Sequence, residues 1–248
     1  MRNTDLEKTV NQLLHSASFS DYTLNGLQIE GRSDIKKVVT GVTACYALLT
    51  EAVRLKADAV LVHHGYFWKN DRPGINGMQR DRIKIILEND LNLFAWHLPL
   101  DAHPNLGNNV QLATSLGIKI KGEIKSLLPW GELDSPLSPE HLKRRIHIAL
   151  EREPLHCFSD NAADLIRSIA LCSGGGQGLI DVAASFGVDA FITGEASEKT
   201  THSAREQGLH FFAAGHHATE RGGVKALGQW LSKEHFLDVT FIDISNPV

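Results

Sequence analysis

Short apolar runs alternate with stretches of helical periodicity along this chain. Apolar runs at residues 38–39 and 57–62 enclose a stretch whose apolar side chains recur at helical spacing, and runs at residues 169–171 and 188–193 enclose a similar stretch. Short apolar strands separated by helices are typical of parallel strands that are buried on both faces. The pattern predicts an α/β fold layered α/β/α.

The two halves of the chain also match each other. Residues 36–65 align without gaps with residues 167–196, and each half continues with a polar helix, another apolar run, a further helix and a closing strand. The identical pairs in the alignment are Leu48 with Leu179, Ala52 with Ala183, Asp58 with Asp189 and Ala59 with Ala190. We predict an internal duplication that produces two similar α/β domains, residues 1–125 and 126–248, with the proline-containing segment 126–140 as a linker.

Histidines and acidic residues follow the apolar runs, where the predicted strands end. These residues are His63, His64, His97, Asp101, His216 and Glu220. Ligand sites in layered α/β folds gather at the carboxyl ends of strands, so we expect these side chains to form a site. Imidazole nitrogens and carboxylate oxygens together suit divalent zinc, manganese, iron, cobalt or nickel, which indicates a metal site. Solvated polar strand ends are the alternative interpretation.

Two arguments favour two metal ions over one. Adjacent residues of a strand point to opposite faces, so His63 and His64 most easily reach different ions unless the strand ends there. Two divalent ions about 3.5–4 Å apart repel each other unless anionic oxygens lie between them. Glu220 and Asp101 are the candidates for those oxygens, with Glu220 in the first turn of a helix and His216 at the preceding strand end.

Composition and charge exclude several classes of protein. With 42% hydrophobic and 22% charged residues, the chain has the balance of a globular protein, and its formal charge of -4 does not indicate a basic surface that binds nucleic acid. Cys45, Cys157 and Cys172 are too few and too scattered for a disulfide framework, which fits a reducing compartment. No apolar run approaches the roughly 18 residues of a membrane span, so we expect a cytoplasmic protein without a membrane partner.

Several segments together resemble one family of dinuclear metal proteins. They are Asn25-Gly26-Leu27-Gln28, Val62-His63-His64-Gly65, Pro99-Leu100-Asp101-Ala102-His103, Thr193-Gly194-Glu195 and Gly215-His216-His217-Ala218-Thr219-Glu220-Arg221-Gly222. This family is the GTP cyclohydrolase I type 2 homologues, also called NGG-interacting factor three-like proteins. The resemblance runs the full length of the chain and is closest to compact bacterial members of the family.

The resemblance implies a ligand set and an assembly. The metal ligands it implies are His63, His64, Asp101, His216 and Glu220, each of which matches the family motif at its position. It further implies a dinuclear site between the two domains with two divalent ions per chain, and a toroidal homohexamer whose sites face an inner cavity.

The leading hypothesis for function is a metal-dependent hydrolase that activates water on a small-molecule substrate. His97 or His217 would relay a proton, since histidine titrates near neutral pH, and His97 is alternatively a sixth ligand or a group that orients the ligands. The family label suggests a nucleotide or related phosphate compound, such as GTP opened at its imidazole ring. The alternative is a non-catalytic metal-binding ring with a regulatory or nucleic-acid-binding role.

Two further signals have more than one interpretation. The run Ser173-Gly174-Gly175-Gly176-Gln177-Gly178 either cradles a phosphate with backbone N–H groups or forms a bare turn. Phe67 and Trp68 follow the histidine pair and either stack on a base or close the core.

Overall fold

In a computed structural model that describes all of residues 1–248, the chain forms two compact units. The first unit contains Met1–Leu106 and Gly223–Ser245, and the second contains Gly107–Gly222 and Asn246–Val248. Each unit has one β-sheet with helices packed on it, so the predicted α/β class is confirmed.

The helices and strands follow one another along the whole chain. The helices are α1 (Asn3–Leu13), α2 (Tyr46–Arg54), α3 (Gly77–Glu88), α4 (Leu98–Ala102), α5 (Asn108–Ser115), α6 (Pro139–Leu150), α7 (Ile180–Phe186), α8 (Glu198–Glu206) and α9 (His216–His235). The strands are β1 (Gly26–Ile29), β2 (Lys37–Thr43), β3 (Ala59–His64), β4 (Asn92–Ala95), β5 (Ile118–Lys125), β6 (Leu128–Leu137), β7 (Leu155–Cys157), β8 (Ile166–Cys172), β9 (Ala190–Thr193), β10 (His210–Ala213) and β11 (Asp238–Phe241). No helix combines the length and the apolar character that crossing a membrane requires.

The sheet of the first unit has the strand order β1-β4-β3-β2-β11. Its strands run parallel except β1, which is antiparallel to β4. Side chains of β3 alternate between the two faces. Ala59 and Leu61 pack with α1 and the C-terminal part of α9, while Val60 and Val62 pack with α2 and α3. The first unit therefore has the predicted α/β/α layers.

The sheet of the second unit has the strand order β5-β6-β8-β9-β10-β7. Strands β8, β9 and β10 run parallel, and the other three pair antiparallel with their neighbours. Ile192 of β9 packs with α5 and α6, whereas Phe191 beside it packs with α7 and α8 on the other face. This unit also has α/β/α layers.

The two sheets share an order of elements and a register. The series α1-β1-β2-α2-β3-α3-β4 in the first unit corresponds to α6-β7-β8-α7-β9-α8-β10 in the second. Val38 pairs with Ala59 in the first sheet, and Ile169 pairs with Ala190 in the second, as the gapless alignment of the two halves requires. These similarities are what an internal duplication would produce. The duplication itself stays a prediction.

The predicted linker at residues 126–140 is wrong, because β6 lies within it and pairs with both β5 and β8. The prolines fit at irregular places. Pro129 precedes the first residue of β6 that pairs with β8, and Pro136 lies in the irregular stretch before Leu137.

The closing strands determine where the compact units divide. β5, which the sequence places in the range 1–125, belongs to the second sheet, and β11, placed in the range 126–248, pairs with β2 in the first sheet. The compact units therefore have bounds different from the predicted domains.

Asp58 and Asp189, which the alignment pairs, accept backbone hydrogen bonds near the starts of β2 and β8 in the same way. Asp58 Oδ2 accepts from the N–H groups of Lys36 and Lys37, and Asp189 Oδ2 accepts from those of Arg167 and Ser168. Each carboxylate thus satisfies two backbone donors at a strand start.

We expect Asp189→Ala to lower the free energy of unfolding by about 1–3 kcal/mol, because the part-buried N–H group of Ser168 and the exposed N–H group of Arg167 lose their acceptor. Urea denaturation measures this change. Asp164→Ala, which removes an exposed carboxylate of the same unit, is the control and should change stability by less than about 0.5 kcal/mol. Equal stability of the two variants would contradict the prediction.

Candidate metal centre

Strand β3 ends in two histidines whose rings lie against each other, with centroids 4.6 Å apart. His63 is fully buried, and its Nδ1 lies 3.0 Å from the carbonyl oxygen of Trp96. A carbonyl oxygen only accepts, so Nδ1 carries the proton of His63 and Nε2 is the nitrogen available as a ligand atom. His64 is half-buried, with Nδ1 3.2 Å from the hydroxyl of Thr43.

His97 and Asp101 complete the donor group of the first unit. His97 follows β4, and Asp101 lies in α4 with its Oδ1 3.4 Å from His63 Nε2. One ring nitrogen from each of His63, His64 and His97 lies within 4.8 Å of the others. Three imidazoles and a carboxylate are donors that suit a divalent ion such as zinc, manganese or iron. The first unit therefore has a cluster that could bind a metal ion.

A buried carboxylate that the sequence does not single out orients His97. Asp21 is 3% exposed at its side chain, and its Oδ1 lies 2.9 Å from His97 Nδ1. Burial would raise the pKa of Asp21, but hydrogen bonds from His97, Asn25 and Leu98 outweigh it and lower the pKa from 3.8 to about 2. The ionised Asp21 accepts the Nδ1 proton of His97 and leaves Nε2 as the ligand or proton-accepting atom.

The early motif, Asn25 to Gln28, positions the two histidine segments. Asn25 Oδ1 accepts a hydrogen bond of 2.7 Å from the backbone N–H of His97. Gln28 Oε1 accepts from the N–H of Tyr66 and packs against Gly65, where a Cβ would also lie 2.7 Å from Ala95 Cβ. Only glycine fits at position 65, immediately after the histidine pair.

The second unit brings two carboxylates to one imidazole. His216 Nδ1 lies 2.6 Å from Glu195 Oε1, and His216 Nε2 lies 3.2 Å from Glu220 Oε2. Burial would lower the pKa of His216, but Glu220 and Glu195 outweigh it and raise the pKa from 6.5 to about 9. His216 is therefore protonated at neutral pH, and a metal ion at Nε2 would have to displace a proton.

Helix α9 begins at His216, and Glu220 lies beyond its first turn. The expectations that His216 enters from a strand end and that Glu220 lies in the first turn are therefore both wrong. His216 and Glu220 instead lie one turn apart on the same helix, and Glu220 is 3% exposed. His217 occupies the next helical position and is half-buried, outside the donor groups. Its role as a proton relay stays a prediction.

The glycine run lies against these ligand candidates. Gly174 has φ 65°, and a Cβ there would overlap Glu220 Oε1 and lie 3.0 Å from His216 Nε2. Three N–H groups of the run donate to side chains of the same unit: that of Ser173 to Asn109, that of Gly174 to Thr219 and that of Gly176 to Thr193. These donors are already used, so the structure favours a close-packing role for the run over a phosphate cradle.

Comparison with known proteins gives full-length matches. The family model described as Duf34/NIF3 (NGG1p interacting factor 3) matches residues 1–247. The GTP cyclohydrolase 1 type 2 homologs of Salmonella typhimurium and Escherichia coli K12 are each 62% identical to the chain over 247 residues, with 100% of both sequences covered. The protein of that name from Haemophilus influenzae is 56% identical over 252 residues.

Solved structures agree with these matches. A structure described as protein ybgI, of unknown function, has a TM-score of 0.98 and 61% identity, and 100% of both chains is covered. A crystal structure of a protein from Thermus thermophilus has a TM-score of 0.92 and 32% identity with the same coverage. Reduced HcgD from Methanocaldococcus jannaschii, at 23% identity and a TM-score of 0.85, shares the fold.

We expect Gly174→Ala to lower the free energy of unfolding by about 1–3 kcal/mol, because the new methyl group overlaps Glu220 and strains a left-handed backbone. Urea denaturation in the presence of a chelator measures this effect without bound metal. The control is Gly178→Ala in the same run, where a Cβ meets no atom within 4 Å. Similar losses in both variants would contradict a specific close-packing role for Gly174.

Proposed function

Because the chain belongs to the Duf34/NIF3 family, we propose that it is a metal-dependent hydrolase in which two divalent ions activate water. The family membership predicted from the motifs is confirmed by the full-length matches. The ligands we propose are His63, His64, Asp101, His216 and Glu220.

The observation that carries this proposal is that two proposed ligands, His63 and His64, converge on one small volume with His97, the proposed proton acceptor. Nδ1 of two of these rings is hydrogen-bonded within the protein. Nδ1 of His63 donates to the carbonyl oxygen of Trp96, and Nδ1 of His97 donates to Asp21. Such a hydrogen bond fixes the tautomer and the orientation of the ring, which suits His63 as a metal ligand and His97 as a proton acceptor. The donor set supports a borderline divalent ion and leaves zinc, manganese, iron, cobalt and nickel as candidates.

The chain's own residues have separate tasks in this proposal. When bound, the ions would supply Lewis acidity and lower the pKa of water to about 7. The buried carboxylate of Glu220 provides negative charge that screens two cations from each other. His97 accepts a proton at Nε2, and Asp21, ionised beside Nδ1, stabilises the imidazolium that results. His217 is the second candidate for the proton relay.

The proposed substrate is a nucleotide or related phosphate compound. The support is the name of the relatives, which refers to GTP cyclohydrolase and implies opening of the imidazole ring of GTP by water. Metal-activated water and a proton-accepting imidazole are the groups that such a hydrolysis requires.

We further propose a toroidal homohexamer in the cytoplasm, without a membrane partner. The hexamer rests on the resemblance to the family. The three free cysteines fit a reducing compartment, and the net charge of -4 gives no support to nucleic acid as a partner.

The test is a turnover screen of GTP, other nucleotides and phosphoesters with protein loaded with manganese, zinc or iron. We expect discrete products that disappear when a chelator is added. Asp21→Asn should keep the bound metal and lower kcat by about 10- to 100-fold, since it weakens the orientation of His97, whereas the exposed control Asp164→Ala should match the wild type.

Inactivity on every compound, combined with tight metal binding, would overturn the hydrolase and favour a metal-binding ring with a regulatory or nucleic-acid-binding role. Turnover that survives complete chelation would overturn the role of the metal.

A further inference from the structure

We propose that Tyr22 and Trp68 form an aromatic platform that stacks on a planar, purine-like ring of the substrate. This inference rests on the proposed function, because it assigns a substrate class to the same site. The name "aromatic platform" refers to these two side chains only.

The platform borders the imidazoles of the first unit. The ring centroid of Trp68 lies 5.1 Å from that of His97 and 5.9 Å from that of His64. The ring of Tyr22 lies 5.0 Å from His97, in an edge-to-face arrangement, and 5.6 Å from Trp68. A ligand ring stacked on the platform would therefore lie beside the candidate metal ligands and the proton-accepting group.

Hydrogen bonds hold the platform in place before any ligand binds. Trp68 Nε1–H donates to the carbonyl of Gly65, and the backbone N–H of Trp68 donates to Asp71 Oδ2. The backbone N–H of Lys69 donates to the carbonyl of Tyr22, which joins the two segments that carry the rings. Because the indole N–H is satisfied within the protein, the π face of the ring is what Trp68 offers a ligand. A preorganised ring loses little conformational freedom on binding.

Covering the hydrophobic core does not account for the positions of Tyr22 and Trp68. Tyr66 already performs that task, since it is 6% exposed and its hydroxyl donates to the carbonyl of Ala44. Tyr22, by contrast, is 53% exposed, and Trp68 is half-buried.

The chemistry of the platform selects a flat heterocycle over a phosphate group. Neither side chain is charged, and phosphate recognition uses paired cationic donors such as those of arginine. Aromatic side chains bind bases through their faces, and removal of one such ring typically weakens binding by about 5- to 150-fold. The heterocycle would stack on the face of Trp68 and contact Tyr22, whose ring is tilted by 36° from the indole, and its reacting bond would point toward His97.

The test measures binding of guanosine, which carries the ring without phosphate, and of inorganic triphosphate, which carries phosphate without the ring. Calorimetry is performed on the full-length protein, both metal-loaded and treated with chelator. We expect Trp68→Ala and Tyr22→Ala each to weaken guanosine binding by about 5- to 150-fold and to leave triphosphate binding unchanged. Trp68→Phe, which keeps an aromatic face, should stay within a few-fold of the wild type.

The matched control is Phe236→Ala, which removes another aromatic ring of the first unit, 90% exposed and outside the candidate centre. It should bind guanosine as the wild type does. If Trp68→Ala does not fold, the comparison of Tyr22→Ala and Trp68→Phe with this control still decides the question.

The outcomes separate this inference from the hydrolase proposal. Guanosine binding that depends on Trp68 and Tyr22 in the chelator-treated protein supports the platform even when no compound is turned over. Absence of guanosine binding, or equal binding by the wild type and both alanine variants, overturns the platform even when phosphoesters are hydrolysed.

Discussion

A hydrogen bond from Nδ1 of an imidazole to a carboxylate is the interaction on which the candidate centre depends. One such bond joins His97 to Asp21 at 2.9 Å in the first unit, and another joins His216 to Glu195 at 2.6 Å in the second. Each bond fixes the orientation of the ring and commits one nitrogen, so that Nε2 is left for a metal ion or a proton. The rings of His97 and His216 are therefore oriented by carboxylates that are not themselves predicted ligands.

The carboxylate that orients the imidazole comes from a different segment in each of the two units. His97 and His216 correspond in the predicted repeat, yet Asp21 precedes β1 whereas Glu195 follows β9. In the gapless alignment, Glu195 occupies the position of His64 and Gly194 that of His63. The strand end that supplies two imidazoles in the first unit thus supplies a glycine and an orienting carboxylate in the second. Duplication followed by specialisation of one strand end would produce this difference.

The layers of the fold can be predicted from the sequence, and the candidate ligands can be named from it, because each has a local signal. Apolar runs mark β3 and β9, whose alternate residues pack on both faces of their sheets. Histidines at the end of β3 and after β4 follow directly from the position of those runs. Asp21 has no such signal, since it lies in an irregular segment and contacts a residue far along the chain.

Contacts between segments that lie far apart in the chain decide which strands pair with each other. The partners of β5 and β11 depend on sheet edges that other segments create, so each strand closes the sheet of a different unit from its predicted domain. The prolines of β6 favour the prediction of a linker over a strand. They lie where the hydrogen bonding between β6 and β8 is irregular, and a local sequence pattern does not show where such an irregularity falls. The sequence of the glycine run likewise fits both a phosphate cradle and a closely packed turn. The structure favours the packed turn, because Glu220 and His216 lie against Gly174.

We propose that these oriented imidazoles serve a dinuclear centre in which Glu220 screens two cations from each other. Calorimetric titration of metal-free wild type and of Glu220→Gln with manganese tests it most directly. We predict two ions per chain in the wild type and a joint loss of affinity for both in the variant, because the amide removes an anionic oxygen at nearly constant size. One ion or none in the wild type, or a variant that loses one ion and binds the other unchanged, would contradict it.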